Sequence, residues 1–136
     1  MKRILIDTNV ILDLLAHRIP FYEATVGVFN LAAKKHISLF ISALSVADTF
    51  YILRKTLGNK ESLVVIRDLL SLAAILPVDQ LTINQAIDSE FSDFEDAIQN
   101  QAALQNNMEI LVTRDLTGFK SSPLPVMTPA EFLAIQ

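Results

Sequence analysis

The sequence predicts an α/β fold built on a parallel sheet, and three observations carry that expectation. Short β-forming apolar runs alternate with longer stretches of helical periodicity, the pattern of βαβ units. The strand candidates are mostly apolar, as expected for strands covered on both faces. Two of them, Arg3-Ile4-Leu5-Ile6 and Ile110-Leu111-Val112-Thr113, run almost directly into aspartates, Asp7 and Asp115. Open parallel sheets bind ligands beyond the carboxyl ends of their strands, where the strand order reverses.

The elements follow in order. Arg3–Ile6 is the first strand and Val10–His17 a short, mostly apolar helix. Tyr22–Lys35 sets Tyr22, Val26, Phe29 and Ala33 on one helical face. Its last turn is basic (Lys34, Lys35), which favours the negative end of the helix dipole. Ser38–Ile41 is the second strand. A helix over Ala43–Leu57 is stopped by Gly58-Asn59. Lys60–Ala73 forms the next, with Leu63, Ile66, Leu69 and Leu70 on one side. Ile75–Val78 is the third strand, which Pro77 restricts to an edge or an extended loop. Helices are expected over Thr82–Glu90 and Phe94–Gln105, and strands at Ile110–Thr113 and around Val126. Thr128-Pro129-Ala130-Glu131 opens a final helix, with Thr as N-cap, Pro first and Glu third.

Composition bounds the function. The 136 residues, 51% of them hydrophobic, suit one domain with one core. No apolar stretch approaches the roughly 18 residues that span a bilayer. The apolar run after Lys2-Arg3 stops at Asp7, too short for a signal peptide. There is no cysteine, hence no disulfide and no thiolate metal site. These features point to a soluble cytoplasmic protein. The formal net charge of −4 argues against a protein held to nucleic acid by charge alone. It leaves a nuclease open, because carboxylates gathered at a metal site make the metal-free chain acidic.

Four carboxylates stand out. Asp7 and Asp115 sit at strand ends. Asp48 interrupts the apolar helical stretch Val46-Ala47-Asp48-Thr49-Phe50, where an ionised carboxylate is costly unless paired or metal-bound. Asp96 lies three residues after Asp93, on the same helical face, and Asp93 suits the N-cap. Singly, Asp7 fits a helix cap equally well, and Asp115 fits the start of the turn Asp115-Leu116-Thr117-Gly118. Converging on one cleft, the four would repel one another, and a divalent cation would remove that repulsion. An all-oxygen donor set favours Mg²⁺ or Mn²⁺. Such an ion positions a phosphodiester and acidifies an attacking water.

The chain resembles the PIN-domain nucleases, in particular bacterial toxins of the VapC type. The likeness rests on Ile6-Asp7-Thr8-Asn9-Val10-Ile11-Leu12-Asp13, on Asp93-Phe94-Glu95-Asp96-Ala97, and on Val112-Thr113-Arg114-Asp115 followed by Phe119. It covers nearly the whole length, so residues 1–136 are expected to form one PIN-like domain. The resemblance implies a three-layer α/β/α sandwich around a mostly parallel five-stranded sheet. It also implies Mg²⁺- or Mn²⁺-dependent hydrolysis of RNA phosphodiester bonds. Carried over by position, Asp7 and Asp96 would be the most direct metal ligands. Asp48 and Asp115 would hold the metal or its waters, and Asn9 and Thr113 would orient the cluster. Asp48 stands where the family usually carries glutamate. Gly118 stands where these toxins often carry another aspartate.

Arg114, beside Asp115, and Lys55, seven residues after Asp48 on the same helix face, are the candidate phosphate contacts. The apolar stretches Phe50–Leu57 and Leu63–Leu76 suit either a core or a homodimer. A small antitoxin is the partner the resemblance implies. The competing reading is a catalytically weak or inactive RNA-binding PIN module. A phosphatase of the haloacid-dehalogenase kind would need a second acid where Asn9 stands, and a receiver-like domain fits poorly.

Overall fold

In the computed structural model, which describes residues 1–136, five strands form a single all-parallel sheet. They are Lys2–Ile6 (β1), Ile37–Ser42 (β2), Ala73–Leu76 (β3), Ile110–Val112 (β4) and Val126–Met127 (β5). Their order is β3-β2-β1-β4-β5. The chain winds outward from β1 through β2 to β3, then returns to the opposite side of β1 for β4 and β5. The reversal therefore falls between β1 and β4. Their register pairs Ile6 with Val112, so the residues that leave the sheet together are Asp7 and Thr113.

Six helices cover the sheet: Thr8–Leu15 (α1), Tyr22–Ala33 (α2), Ala43–Leu69 (α3), Gln80–Ile87 (α4), Phe94–Gln105 (α5) and Pro129–Ala134 (α6). Strand alternation sorts their contacts. Ile4, Ile6, Leu39, Ile110 and Val112 pack with Val10, Ile11, Val28, Phe29 and Phe132 from α1, α2 and α6. Leu5 and Leu111 point the other way, against Ala102 and Ala103 of α5 and Phe119. The result is the three-layer sandwich expected of the sequence. None of the helices is long and apolar enough to cross a membrane.

Several boundaries differ from the sequence-based expectation. The first two helices end early, because His17 and Lys35 take left-handed backbone conformations (φ 50° and 60°) just past the helix ends. The inward stripe of α2 is Thr25, Val28 and Phe29 rather than the Tyr22-Val26-Ala33 row. Gly58 does break the third helix, but as a kink at one residue, after which the helix resumes at once. Its φ of 79° and ψ of 169° belong to a region open essentially only to glycine. The second half buries Ser62, Ile66 and Leu69 while Leu63 faces outward. It stops at Leu69, and Ala73 starts β3 instead of ending the helix. Pro77 lies just beyond β3, which is an edge strand.

One ion pair ties α1 to the segment after β4. Asp13 is fully buried, and its two carboxylate oxygens accept from Arg114 Nε and Nη2, the latter at 3.1 Å. The guanidinium also lies over the Phe21 ring, 3.9 Å from its centroid. Removing one partner of a buried pair leaves an uncompensated charge. Arg114→Met is therefore expected to lower the unfolding free energy by about 3–5 kcal/mol in urea denaturation. The double variant Asp13→Leu/Arg114→Met is expected to regain most of that loss. Equal losses in both proteins would mean that the unpaired Asp13 charge is not the source of the cost.

Candidate functional site

The site is organised around a buried anion. Asp7 ends β1, is the N-cap residue of α1, and is only 7% exposed. Its backbone N–H continues the sheet by donating to the Val112 carbonyl at 3.0 Å. Its carboxylate accepts from four groups. Thr8 N (2.8 Å) and Gln99 Nε2 (3.1 Å) reach Oδ1. The Thr113 hydroxyl (2.8 Å) and Asn9 Nδ2 (3.4 Å) reach Oδ2. Burial still wins: desolvation holds the Asp7 carboxyl above its ordinary value, against the pull of the Thr113, Gln99 and Thr8 hydrogen bonds.

Thr113 is a relay. Fully buried, its oxygen donates to Asp7 and accepts from the Asp115 backbone N–H at 3.0 Å and from Asn9 Nδ2 at 3.3 Å. Asn9 in turn accepts from Arg114 N at 3.3 Å. The loop after β4 is thus locked to the start of α1, and Asp115 is carried to the same end of the sheet. Asp115 also closes its own turn by accepting from Gly118 N at 3.0 Å.

Helix α5 brings the third acid. Asp93 caps it by accepting from Asp96 N at 2.9 Å, which leaves the Asp96 carboxylate turned toward the strand ends. A Cβ built on Gly118 would lie 2.6 Å from Asp96 Oδ2, and closer still to Asp115 Oδ2. The two carboxylates converge over the bare Cα of residue 118. Burial first, and then the charges of Asp7, Asp93, Asp115 and Glu95, push the Asp96 carboxyl up to about 7.

Asp48, half-buried on α3, faces Glu95. Partial desolvation, then the charge and hydrogen bond of Asp48, then Asp93 and Asp7 hold the Glu95 carboxyl above its ordinary value. Among the acids expected from the sequence, Asp7 and Asp115 act on Asp96 and Asp48 acts on Glu95, and Glu95 in turn feels Asp7 and acts on Asp96. Glu95 stood in the open in Asp93-Phe94-Glu95-Asp96, but adjacent helical residues do not share a face, so spacing alone passes over it. Gln99 and Ser45 were missed as well. Both are buried, and Gln99 Nε2 donates to Ser45 Oγ at 2.7 Å. Gln99 lies three residues after Asp96, the one signal that could have found it.

The candidate phosphate contacts fare differently from the acids. Arg114 is engaged by Asp13 and stacked on Phe21. Lys55 is exposed on α3, and the chain's one ion pair is Asp13–Arg114.

No group of three His, Asp or Glu side chains is gathered tightly enough to hold a metal ion by itself. The donor chemistry nonetheless fits a hard cation. Mg²⁺ keeps several of its waters and is held through one or two carboxylates. Asp96 and Asp115 offer two converging oxygens, with buried Asp7 behind them.

The sequence profile described as PIN domain matches residues 3–117. Solved structures share the fold. VapBC from Salmonella typhimurium bound to DNA superposes with a TM-score of 0.70 at 18% identity, over 95% of this chain and 99% of that one. A toxin-antitoxin complex from Klebsiella pneumoniae gives 0.68 at 23% identity, over 92% and 96%. VapC20 of Mycobacterium tuberculosis, described as a Sarcin-Ricin loop cleaving toxin, gives 0.67 at 16% identity, over 89% and 95%. No curated protein matches the chain significantly in sequence.

The raised acids carry a pH dependence. Between 3.8 and about 7 the folded protein keeps the Asp96 proton while the unfolded chain has lost it. The native state then binds more protons, so stability falls as pH rises through that window. Buried Asp7 acts in the same direction. Urea denaturation in EDTA is expected to give a less stable protein at neutral pH than at pH ~5, and Asp96→Asn is expected to flatten the slope. A wild-type slope in the variant would place the titration elsewhere.

Proposed function

The chain belongs to the PIN-domain family, and from that premise we propose that it is a metal-dependent endoribonuclease, the toxin of a toxin–antitoxin pair. The observation that carries this reading is the convergence of Asp96 and Asp115 over Gly118, beside the buried carboxylate of Asp7. Three acids held together against their mutual repulsion are difficult to explain as caps or turn residues alone, although Asp7, Asp93 and Asp115 also serve those local roles.

Asp96 and Asp115 are the residues we assign to hold Mg²⁺ or Mn²⁺, with Asp7 as the third acid and Asp48 reaching the site through Glu95. A divalent ion held there supplies charge neutralisation, a template for the phosphodiester and acidification of the attacking water. The protein's own part is orientation. Thr113 and Asn9 hold Asp7 and the Asp115 loop in one frame, and Asp93 fixes the first turn of α5 beneath Asp96. Arg114 braces α1 against that loop through Asp13, and Lys55 remains free to meet RNA from α3.

The partners follow from the same reading. The Klebsiella neighbour is a toxin-antitoxin complex, which supports a small antitoxin as the physiological inhibitor. The Mycobacterium tuberculosis neighbour is described as cleaving the Sarcin-Ricin loop, which supports structured RNA as the substrate class. Exposed Tyr51, Ile52, Leu63 and Val64 along α3 support a second copy of the chain as a further partner. The setting we assign is the cytoplasm. A catalytically weak RNA-binding module is the second reading, favoured by the aspartate at position 48, where the family usually carries the longer glutamate.

Cleavage of structured RNA separates the two. With Mg²⁺ or Mn²⁺ the wild type is expected to cut, EDTA to stop it, and Asp7→Asn and Asp96→Asn each to lose at least the roughly 100-fold that loss of a group supporting a metal ligand costs. Equal cleavage by all three proteins would sink the nuclease assignment. Gly118→Ala tests the carrying observation. Its backbone is not in the left-handed region, and its new Cβ meets only carboxylate ends, so the variant is expected to fold normally. It is expected to need more Mn²⁺ for half-maximal cleavage, and an unchanged Mn²⁺ requirement would show that the cradle is not where the ion is held.

A further inference from the structure

Gln99 has no part in the acidic cluster as such, yet it is one of the most constrained side chains near it. It is 2% exposed on α5, one turn after Asp96. Its amide nitrogen uses both donor hydrogens. One goes to Asp7 Oδ1 at 3.1 Å and the other to Ser45 Oγ at 2.7 Å. Ser45 is held in turn by the Thr8 hydroxyl at 2.8 Å and, through its backbone N–H, by Ser42 Oγ at 3.1 Å. A single amide thus joins the end of β1, the first turn of α3 and the helix that carries Asp96.

A packing role does not account for this side chain. Gln99 Oε1 is buried with no hydrogen-bond partner, and a buried acceptor without a donor is unfavourable. A methionine would fill a similar volume without a buried, unpartnered acceptor of its own. What methionine cannot do is hold Asp7 Oδ1. Without Gln99 that oxygen keeps only the N–H of the adjacent Thr8. Thr113 and Asn9 both bear on Oδ2, so the carboxylate would lose its one tie to α5.

We propose that Gln99 is a positioning residue that fixes the orientation of the Asp7 carboxylate and couples it to the helix bearing Asp96. The proposal rests on the metal-dependent reading above. It deepens that reading by naming the group that sets the relative placement of two of its acids. Mg²⁺ and Mn²⁺ tolerate little error in ligand placement, and partners that orient a ligand contribute strongly to affinity.

The test titrates the full-length protein with Mn²⁺ alone by calorimetry, beside Asp7→Asn, Gln99→Met and Gln99→Leu. The apolar variants are expected to bind Mn²⁺ about 10–100-fold more weakly than wild type, while still unfolding in a single cooperative transition in EDTA. In RNA cleavage at saturating Mn²⁺, kcat is expected to fall while KM for RNA stays within about twofold. Wild-type Mn²⁺ affinity in the folded variants overturns the proposal. If the wild type binds Mn²⁺ through Asp7 but cuts no RNA, the nuclease reading fails, and Gln99 is judged on the affinities alone. If the wild type binds no Mn²⁺, both readings fall.

Discussion

A buried carboxylate at the reversal point of the sheet is the constraint on which the rest of the site depends. Asp7 is almost out of water, so its charge must be met by hydrogen-bond donors or neutralised. The donors come from three separate elements: the start of α1, the end of β4 and the middle of α5. None of those elements can shift by much without costing the carboxylate a donor. The parallel register of β1 and β4 sets Thr113 across from Asp7, and the hydroxyl then aims the Asp115 loop. The sheet order and the side-chain network are in this sense one arrangement.

The second feature is that the acids are brought together with less compensation than they require. Asp7 has a full set of donors, whereas Asp96 is half-buried among four other carboxylates and receives no side-chain hydrogen bond. A stable fold keeps such a group only where something else offsets the repulsion at work. Gly118 contributes by absence. Any side chain there would begin in the space that the Asp96 and Asp115 oxygens occupy. An aspartate at that position would add a fourth acid but displace the two already present, so the glycine belongs to this particular geometry rather than being a plain loss.

The arginine of the same loop is committed to a partner on another element. Arg114 stands between two site residues, yet its guanidinium is drawn back to Asp13 on α1. A carboxylate with no exposed surface is a stronger claim on a guanidinium than solvent is. The pair holds α1 and the post-β4 loop together from behind, while Asn9 and Thr113 do so from the front.

Much of this was legible in the sequence for local reasons. Apolar runs of strand length, helical periodicity, the Thr128-Pro129-Ala130-Glu131 capping box and the aspartates at two strand ends are all encoded within a few residues of one another. Family membership was legible in the same way, because its motifs are short and contiguous. The tertiary structure alone decided which residues meet across the fold. Glu95 carried no signal of its own beside Asp96 in the sequence, but it is the group that faces Asp48. Gln99 and Ser45 read as ordinary polar residues until packing buried them against Asp7. The course of α3 past Gly58 and its end at Leu69 were set by how its second half seats on the sheet. Sequence determined the elements and the chemistry at their ends, because those depend on neighbours along the chain. Burial, pairing and the convergence over Gly118 depend on neighbours in space, and those the fold alone supplied.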